Sequence, residues 1–337
     1  MVSMEEHAVQ PVANPGANPH AMAILDGYRI NWRLTGAVMA ITVLGLFTLP
    51  PLMVFAMIEV MIFALFGSAL NLWLSYAGIL SFGHSVYFGL GAYGLAITIS
   101  RFDWPMPLGI LAGPIVSAVF ALVFGLLCVQ LTTIYMAMLT LACAEVTYAV
   151  AFQWFDFTGG DSGISGHVPA MLGLDPRWYG VVVLGVVTLS ILGLWRVVHS
   201  PLGLTIRSVG LNPGRAAAMG HGRKGVQLIS FVIMGFMSGV AGTLFGVFHG
   251  NVFPDYVGVL YTIDGLVMIL LGGLHHFAAG IYGAIVYKIL DNLVAHYFEY
   301  WQLVIGLILL GVILFSPTGI AGIVDRIFKR AKEDSNA

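Results

Sequence analysis

Residues 55–76 read FAMIEVMIFALFGSALNLWLSY, a run of 22 residues with a single charge, Glu59. A stretch of that length and polarity is suited to crossing a bilayer. About 20 apolar residues rising ~1.5 Å each span a hydrocarbon core ~30 Å thick. The same pattern recurs on both sides of it. Apolar runs fall at about 34–53, 79–100, 107–131, 132–154, 178–199, 226–249, 257–274, 277–297 and 300–317. The fold expected is all-α: a polytopic transmembrane helix bundle of about ten spans. Two runs are irregular. Residues 79–100 are rich in glycine and hold His84 and Ser85, and 257–274 hold Asp264 and end in Gly272-Gly273. One or both are expected to be broken or re-entrant, which a membrane tolerates only where protein or a cavity covers the backbone.

Composition excludes the alternatives. Of 337 residues, 59% are hydrophobic and 9% charged, against roughly 25% charged in a soluble domain. Such a chain has too few polar side chains to clothe a water-facing surface. Its charges gather at the ends, leaving 18 for the 284 residues 34–317. No basic run or nucleic-acid-reading element is present. Cys128 and Cys143 lie inside apolar runs and read as small hydrophobes. Residues 1–30 carry Pro11, Pro15 and Pro19 among small residues and read as a disordered cytoplasmic tail. Residues 31–322 form the membrane domain, and 323–337 a cytoplasmic C-terminal tail. The first apolar run begins only near Leu34, behind a polar segment, so the first span is expected to stay as an uncleaved anchor.

Basic residues orient the bundle. With ten spans, one side carries Arg29, Arg33, Arg196, Arg207, Arg215, Arg223, Lys224, Arg326, Lys329, Arg330 and Lys332, and the other only Arg101 and Arg177. Both termini and the loop 200–224 are therefore expected in the cytoplasm.

Five charges sit within spans: Glu59, Glu145, Asp264, Lys288 and Asp291. Each costs at least ~2.5 kcal/mol in lipid and needs a partner or water. Lys288 and Asp291 share a helix face and can pair. Glu59 and Asp264 lie toward the outer ends and are expected to reach the interface. Glu145 sits deep with no nearby partner and is the better candidate for lining a translocation path, with Ser81, Gly83, His84 and Tyr87. For His84 a hydrogen-bonded structural role competes with ligand contact. Gly235, Gly239, Gly242 and Gly246, followed by Gly250, recur every three or four residues and mark a close helix-packing face. A faint repeat links ILSFGHSVYFGLGAYG at 79–94 with LLGGLHHFAAGIYG at 270–283. The adjacent His275 and His276 do not have metal-ligand spacing, and no phosphate-binding loop occurs. If ATP drives this protein, another chain binds it.

The inner loop SPLGLTIRSVGLNPGRAAAMGHGRKG, 200–225, gives an amphipathic segment at Leu204–Val209 and a break at Gly210 and Asn212-Pro213-Gly214. A short helix follows, with Asn212 as cap, Pro213 in the first turn, Arg215, Ala216 and Ala217 within it, and Gly220 ending it. A helix under ten residues is unstable alone, so it is expected to dock on something, lipid headgroups being the plainer choice.

These residues resemble the LivM-like inner permease subunits of branched-chain amino-acid ABC importers, over roughly 60–323. The family's G-x-L-S-x-G-H-x-x-F-x-G-x-G-A-Y is matched from Gly78 to Tyr93, and its T-G-G-x-x-G-I from Thr158 to Ile164. S-P-x-G-x-x-x-R-x-x-x-x-N is matched from Ser200 to Asn212, R-A-A-x-x-x-G from Arg215 to Gly220, and F-x-P-x-G-I-x-G from Phe315 to Gly322. Two departures stand out. Gly214 replaces a frequent acidic residue, and the late G-G-x-G-T-x-x-G-P-x-x-G motif is altered after Gly272-Gly273-Leu274. The resemblance implies that Asn212–Gly220 is a coupling helix seated on an ATPase subunit. It implies two such subunits holding ATP and magnesium, a second, LivH-like permease subunit, a periplasmic binding protein, and no cofactor on this chain. The substrate implied is a branched-chain or other hydrophobic amino acid, with urea, short amides and aromatic acids as related cargoes. The rival class is a stand-alone channel or ion-coupled secondary transporter using Glu145 or the Lys288–Asp291 pair. A membrane enzyme would need a spaced ligand set that His84, His275 and His276 do not form.

Overall fold

The computed structural model describes residues 32–274 and 276–297, with 303, 304, 306, 307 and 311. The expected tails, His275, the Phe315–Gly322 motif and most of the run 300–317 lie outside the described residues.

The described chain is a helical bundle. In order come α1 (Trp32–Thr48), α2 (Pro51–Asn71), α3 (Ser85–Phe102), α4 (Met106–Cys128), α5 (Thr133–Gln153), α6 (Pro176–Val198), α7 (Pro201–Leu211), α8 (Pro213–Ala218), α9 (Arg223–His249), α10 (Val259–Gly272) and α11 (Ala279–Tyr297). Prolines at the first or second position open α2, α4, α6, α7 and α8, where the missing N–H has no helical acceptor to lose. Asp175 caps α6, accepting from the Arg177 N–H at 2.9 Å.

The helices form an enclosed layer and a peripheral one. α2 and α9 bury 61% and 67% of their most apolar stretches, whereas α4, α5 and α6 bury 28%, 28% and 22%. α9 packs on α2, α3 and α4, and α11 packs on α2 and α10. The glycine stripe makes the α9 contacts close. A Cβ on Gly239 would lie 2.5 Å from the Ser117 side chain on α4, and one on Gly242 would strike the Phe88 carbonyl on α3. Thr243 and Ser117 add hydrogen bonds to the Gly91 carbonyl at 3.1 Å and the Tyr87 carbonyl at 2.6 Å. Small residues with hydroxyls between them are how helices adhere where the hydrophobic effect is absent. Gly250 differs from the other four: it follows α9 with φ +70° and ends the helix.

Nine of the ten expected runs contain a helix, and five of these helices are long and apolar enough to cross a membrane. Both irregular runs are shorter helices than the apolar pattern suggests. In 79–100 the helix begins only at Ser85, and α10 has 14 residues, about 21 Å. On the opposite side from α7, two-residue strands β1 (Ile164–Ser165) and β2 (Asn251–Val252) pair antiparallel, pinning the Thr158–Ile164 loop to the end of α9. Gly159, Gly160 and Gly163 turn this loop with positive φ. Beside it, burial and the Asp255 carboxylate push the Tyr256 phenol up to about 12, so it remains a donor.

Candidate functional site

The break before α3 is sealed by side chains. Irregular backbone at membrane depth must find partners within the protein. Thr140 on α5 accepts from the Phe82 N–H at 3.3 Å, and Thr262 on α10 accepts from the Ser85 N–H at 2.9 Å. Ser85 donates to the Val257 carbonyl at 2.8 Å. His84 is fully buried, with Nε2 3.3 Å from the Phe66 carbonyl and its ring 4.6 Å from that of Phe66. The Nε2-protonated tautomer makes it a donor, which is the structural role. Ser81 and Tyr87 are equally enclosed, and a Cβ on Gly83 would strike the Thr140 carbonyl. These four candidate path residues therefore pack within the subunit.

Sequence reasoning missed Asn71, which is 1% exposed. Its amide donates to the carbonyls of His276 at 2.8 Å and Phe277 at 3.3 Å, tying α2 to the turn between α10 and α11. A π-helical turn, Leu72–Tyr76, follows immediately. The one available signal was an amide inside an apolar run. The two halves of the faint repeat both occupy a helix–break–helix passage. In each, the glycines of Gly-x-Tyr-Gly meet neighbouring helices: Gly91 against Gly239, Gly94 against Gly113, Gly280 against Gly67 and Ser68, and Gly283 against Met268.

The interior charges pair differently from the local expectation. Lys288 Nζ lies 2.9 Å from Glu59 on α2 and 3.4 Å from Asp291 on its own helix, and 4.1 Å from the Phe63 ring centre. Glu59 thus has a cation across the bundle instead of reaching for the interface. Asp264 also turns inward and accepts from the Tyr287 hydroxyl. Glu145 stands apart from this network. It is exposed on α5 and has no hydrogen bond or ion pair among the described residues.

The inner loop forms α7 and α8. α7 runs through Gly210 to Leu211, longer than Leu204–Val209 and without the break expected at Gly210. That glycine is helical because its Cα passes close to the Tyr76 and Ala77 carbonyls, where a Cβ would sit 2.8 Å from either oxygen. Ile206 and Val209 bury, and Arg207 stacks 5.1 Å over the Tyr76 ring. The chain turns at Asn212, whose side chain accepts from the Arg215 N–H at 3.0 Å. Pro213 opens α8, and Gly220 leaves it at φ +85°. Ala216 alone of α8 is buried; Asn212, Pro213, Gly214, Arg215 and Ala217 face outward with Leu211 and Met219, 81% and 64% exposed.

A family model described as the permease component of the branched-chain amino acid transport system matches residues 52–313. The high-affinity branched-chain amino acid transport permease protein LivM of Salmonella typhimurium is 25% identical, over 77% of this chain and 68% of its own length. LivM of Escherichia coli is 24% identical over the same shares. The probable permease protein LivH of Methanocaldococcus jannaschii is 27% identical over 43% of this chain and 49% of its own. No solved structure matches.

Proposed function

Because this chain belongs to the family of branched-chain amino acid transport system permease components, we propose that it is the transmembrane permease subunit of an ATP-driven importer for branched-chain or other hydrophobic amino acids. It works in the inner membrane with ten crossings and both termini cytoplasmic. A second, LivH-like permease subunit completes the path, and a periplasmic binding protein delivers the solute. Two ATPase subunits hold ATP and magnesium, and this chain performs no covalent chemistry. The kinship with both LivM and LivH proteins supports the pairing.

The observation that carries the reading is α8. It is six residues long, capped at both ends, and shows an apolar and basic surface outside the bundle. A stand-alone channel needs no such docking element. ATP-driven closure of the ATPases would move α8, and through α7 the break beside Tyr76, so that the bundle alternates between outward and inward openings.

The test is co-purification with a nucleotide-binding subunit, followed by Ala217→Glu. Ala217 is exposed, so the variant folds, and ATP hydrolysis no longer drives uptake. Normal substrate-stimulated hydrolysis and uptake in that variant would refute the coupling role. Uptake of leucine, urea and an aromatic acid by the full complex sorts the cargo. Robust urea transport without leucine transport would reassign the substrate and leave the permease reading standing.

A further inference from the structure

The free face of α5 carries an arrangement that packing within this subunit does not use. Its covered side is Met136, Ala137, Thr140, Ala144 and Ala151. On the opposite side Glu145, Ala149 and Gln153 follow at four-residue steps, with Val146, Val150 and Trp154 on the adjoining row. Residues four apart stack on one helical face, so the six make a stripe about 13.5 Å long. Val146, Ala149, Val150, Gln153 and Trp154 line an open groove of about 480 Å³. That volume falls within the ~300–1,000 Å³ of small-molecule sites. Glu145 stands at one end of the groove and Gln153 and Trp154 at the other.

We propose that this stripe is one wall of a transient solute site for a zwitterion with an apolar side chain. Glu145 receives the α-ammonium, Val146, Ala149 and Val150 face the hydrocarbon part, and Gln153 offers its amide to the carboxylate. The assignment rests on the permease reading above and specifies where the solute touches this chain. Its basis is charge complementarity. An unpaired carboxylate among apolar residues needs a cation, and an amino acid brings one ammonium and a hydrophobic tail. The wall has one charge and an open shape, which suits weak holding and release.

The experiment uses the complete complex in vesicles, with leucine and alanine as solutes. Glu145→Gln is expected to assemble as wild type does and to lower leucine uptake roughly tenfold or more, the scale of one lost charge-assisted hydrogen bond. Glu145→Asp should recover part of that loss, which a packing role would not predict. Ala149→Phe fills the groove and should lower leucine uptake several times more than alanine uptake. Unchanged leucine uptake in Glu145→Gln, or an unchanged leucine-to-alanine ratio in Ala149→Phe, would overturn the site. So would loss of the second permease subunit from Glu145→Gln, because the face would then be a helix-packing surface. A wild-type complex without ATP-dependent amino acid uptake would instead remove the reading on which the site rests.

Discussion

α4 and α5 follow one another in the chain, and each leaves most of its apolar stretch uncovered, burying 28% of it. Their open sides nevertheless differ in kind. On α4 that side is Leu108, Leu111, Ile115, Val119, Leu122, Val123, Leu126 and Leu127, without a polar atom among the side chains. On α5 it includes Glu145 and Gln153 among Tyr135, Met138, Val146 and Val150. Burial alone therefore does not distinguish a face made for lipid from one made for water, solute or protein. The chemistry of the uncovered residues does, because hydrocarbon accepts leucine at no cost and charges at least ~2.5 kcal/mol for a carboxylate.

The contrast is most strongly tested by moving the charge. Val119→Glu places a carboxylate on the open side of α4 and is expected to cost ~2.5–3.5 kcal/mol in insertion. The yield of membrane-integrated protein should fall accordingly. Full integration and normal thermal stability of that variant would show that α4 does not face lipid.

A smaller effect is expected on the covered side of α5. Thr140→Val keeps the shape but leaves the Phe82 N–H without its acceptor, a loss of ~1–3 kcal/mol for a buried donor. A lower melting temperature of the purified protein is the readout. An unchanged one would mean that α5 does not seal the break before α3. The smallest change in stability belongs to Glu145→Leu, which gives α5 the open side of α4. Stability should stay within ~0.5 kcal/mol of wild type, while leucine uptake falls at least as far as in Glu145→Gln. A large loss of stability would mean that Glu145 is held by a partner subunit's cation.

What could be read from the sequence follows the distance between interacting residues. Asn212, Pro213 and Gly220 were legible as cap, first turn and stop because capping is settled within a few neighbours. The α9 glycine stripe was legible because helical period alone aligns it. The partner of Lys288 was misread: Asp291 lies three residues away, and the closer carboxylate, Glu59, lies 229 residues away in the chain. Asn71 escaped notice for the same reason, since its acceptors are more than 200 residues distant. Gly210 looked like a helix breaker by propensity, yet tertiary contact with Tyr76 and Ala77 makes it a necessary helical residue. Glu145 stood out on its position in the span, but only the three-dimensional packing separates it from Ser81, Gly83, His84 and Tyr87, which the subunit encloses.

The unequal sharing of Lys288 has a mechanical consequence. Its ammonium faces Glu59 on one helix and Asp291 on its own, so it carries a spare counter-ion wherever α11 goes. Sliding α11 along α2 strips only Glu59, whose side chain is 26% exposed and within reach of water, and never strands the more deeply buried cation at 10%. Where the two helices touch, Gly280 runs against the backbone of Gly67 and Ser68 with no side chain between them. The contact behaves as a smooth rail with a tether that can be let go at one end, stiff against separation and yielding along its length.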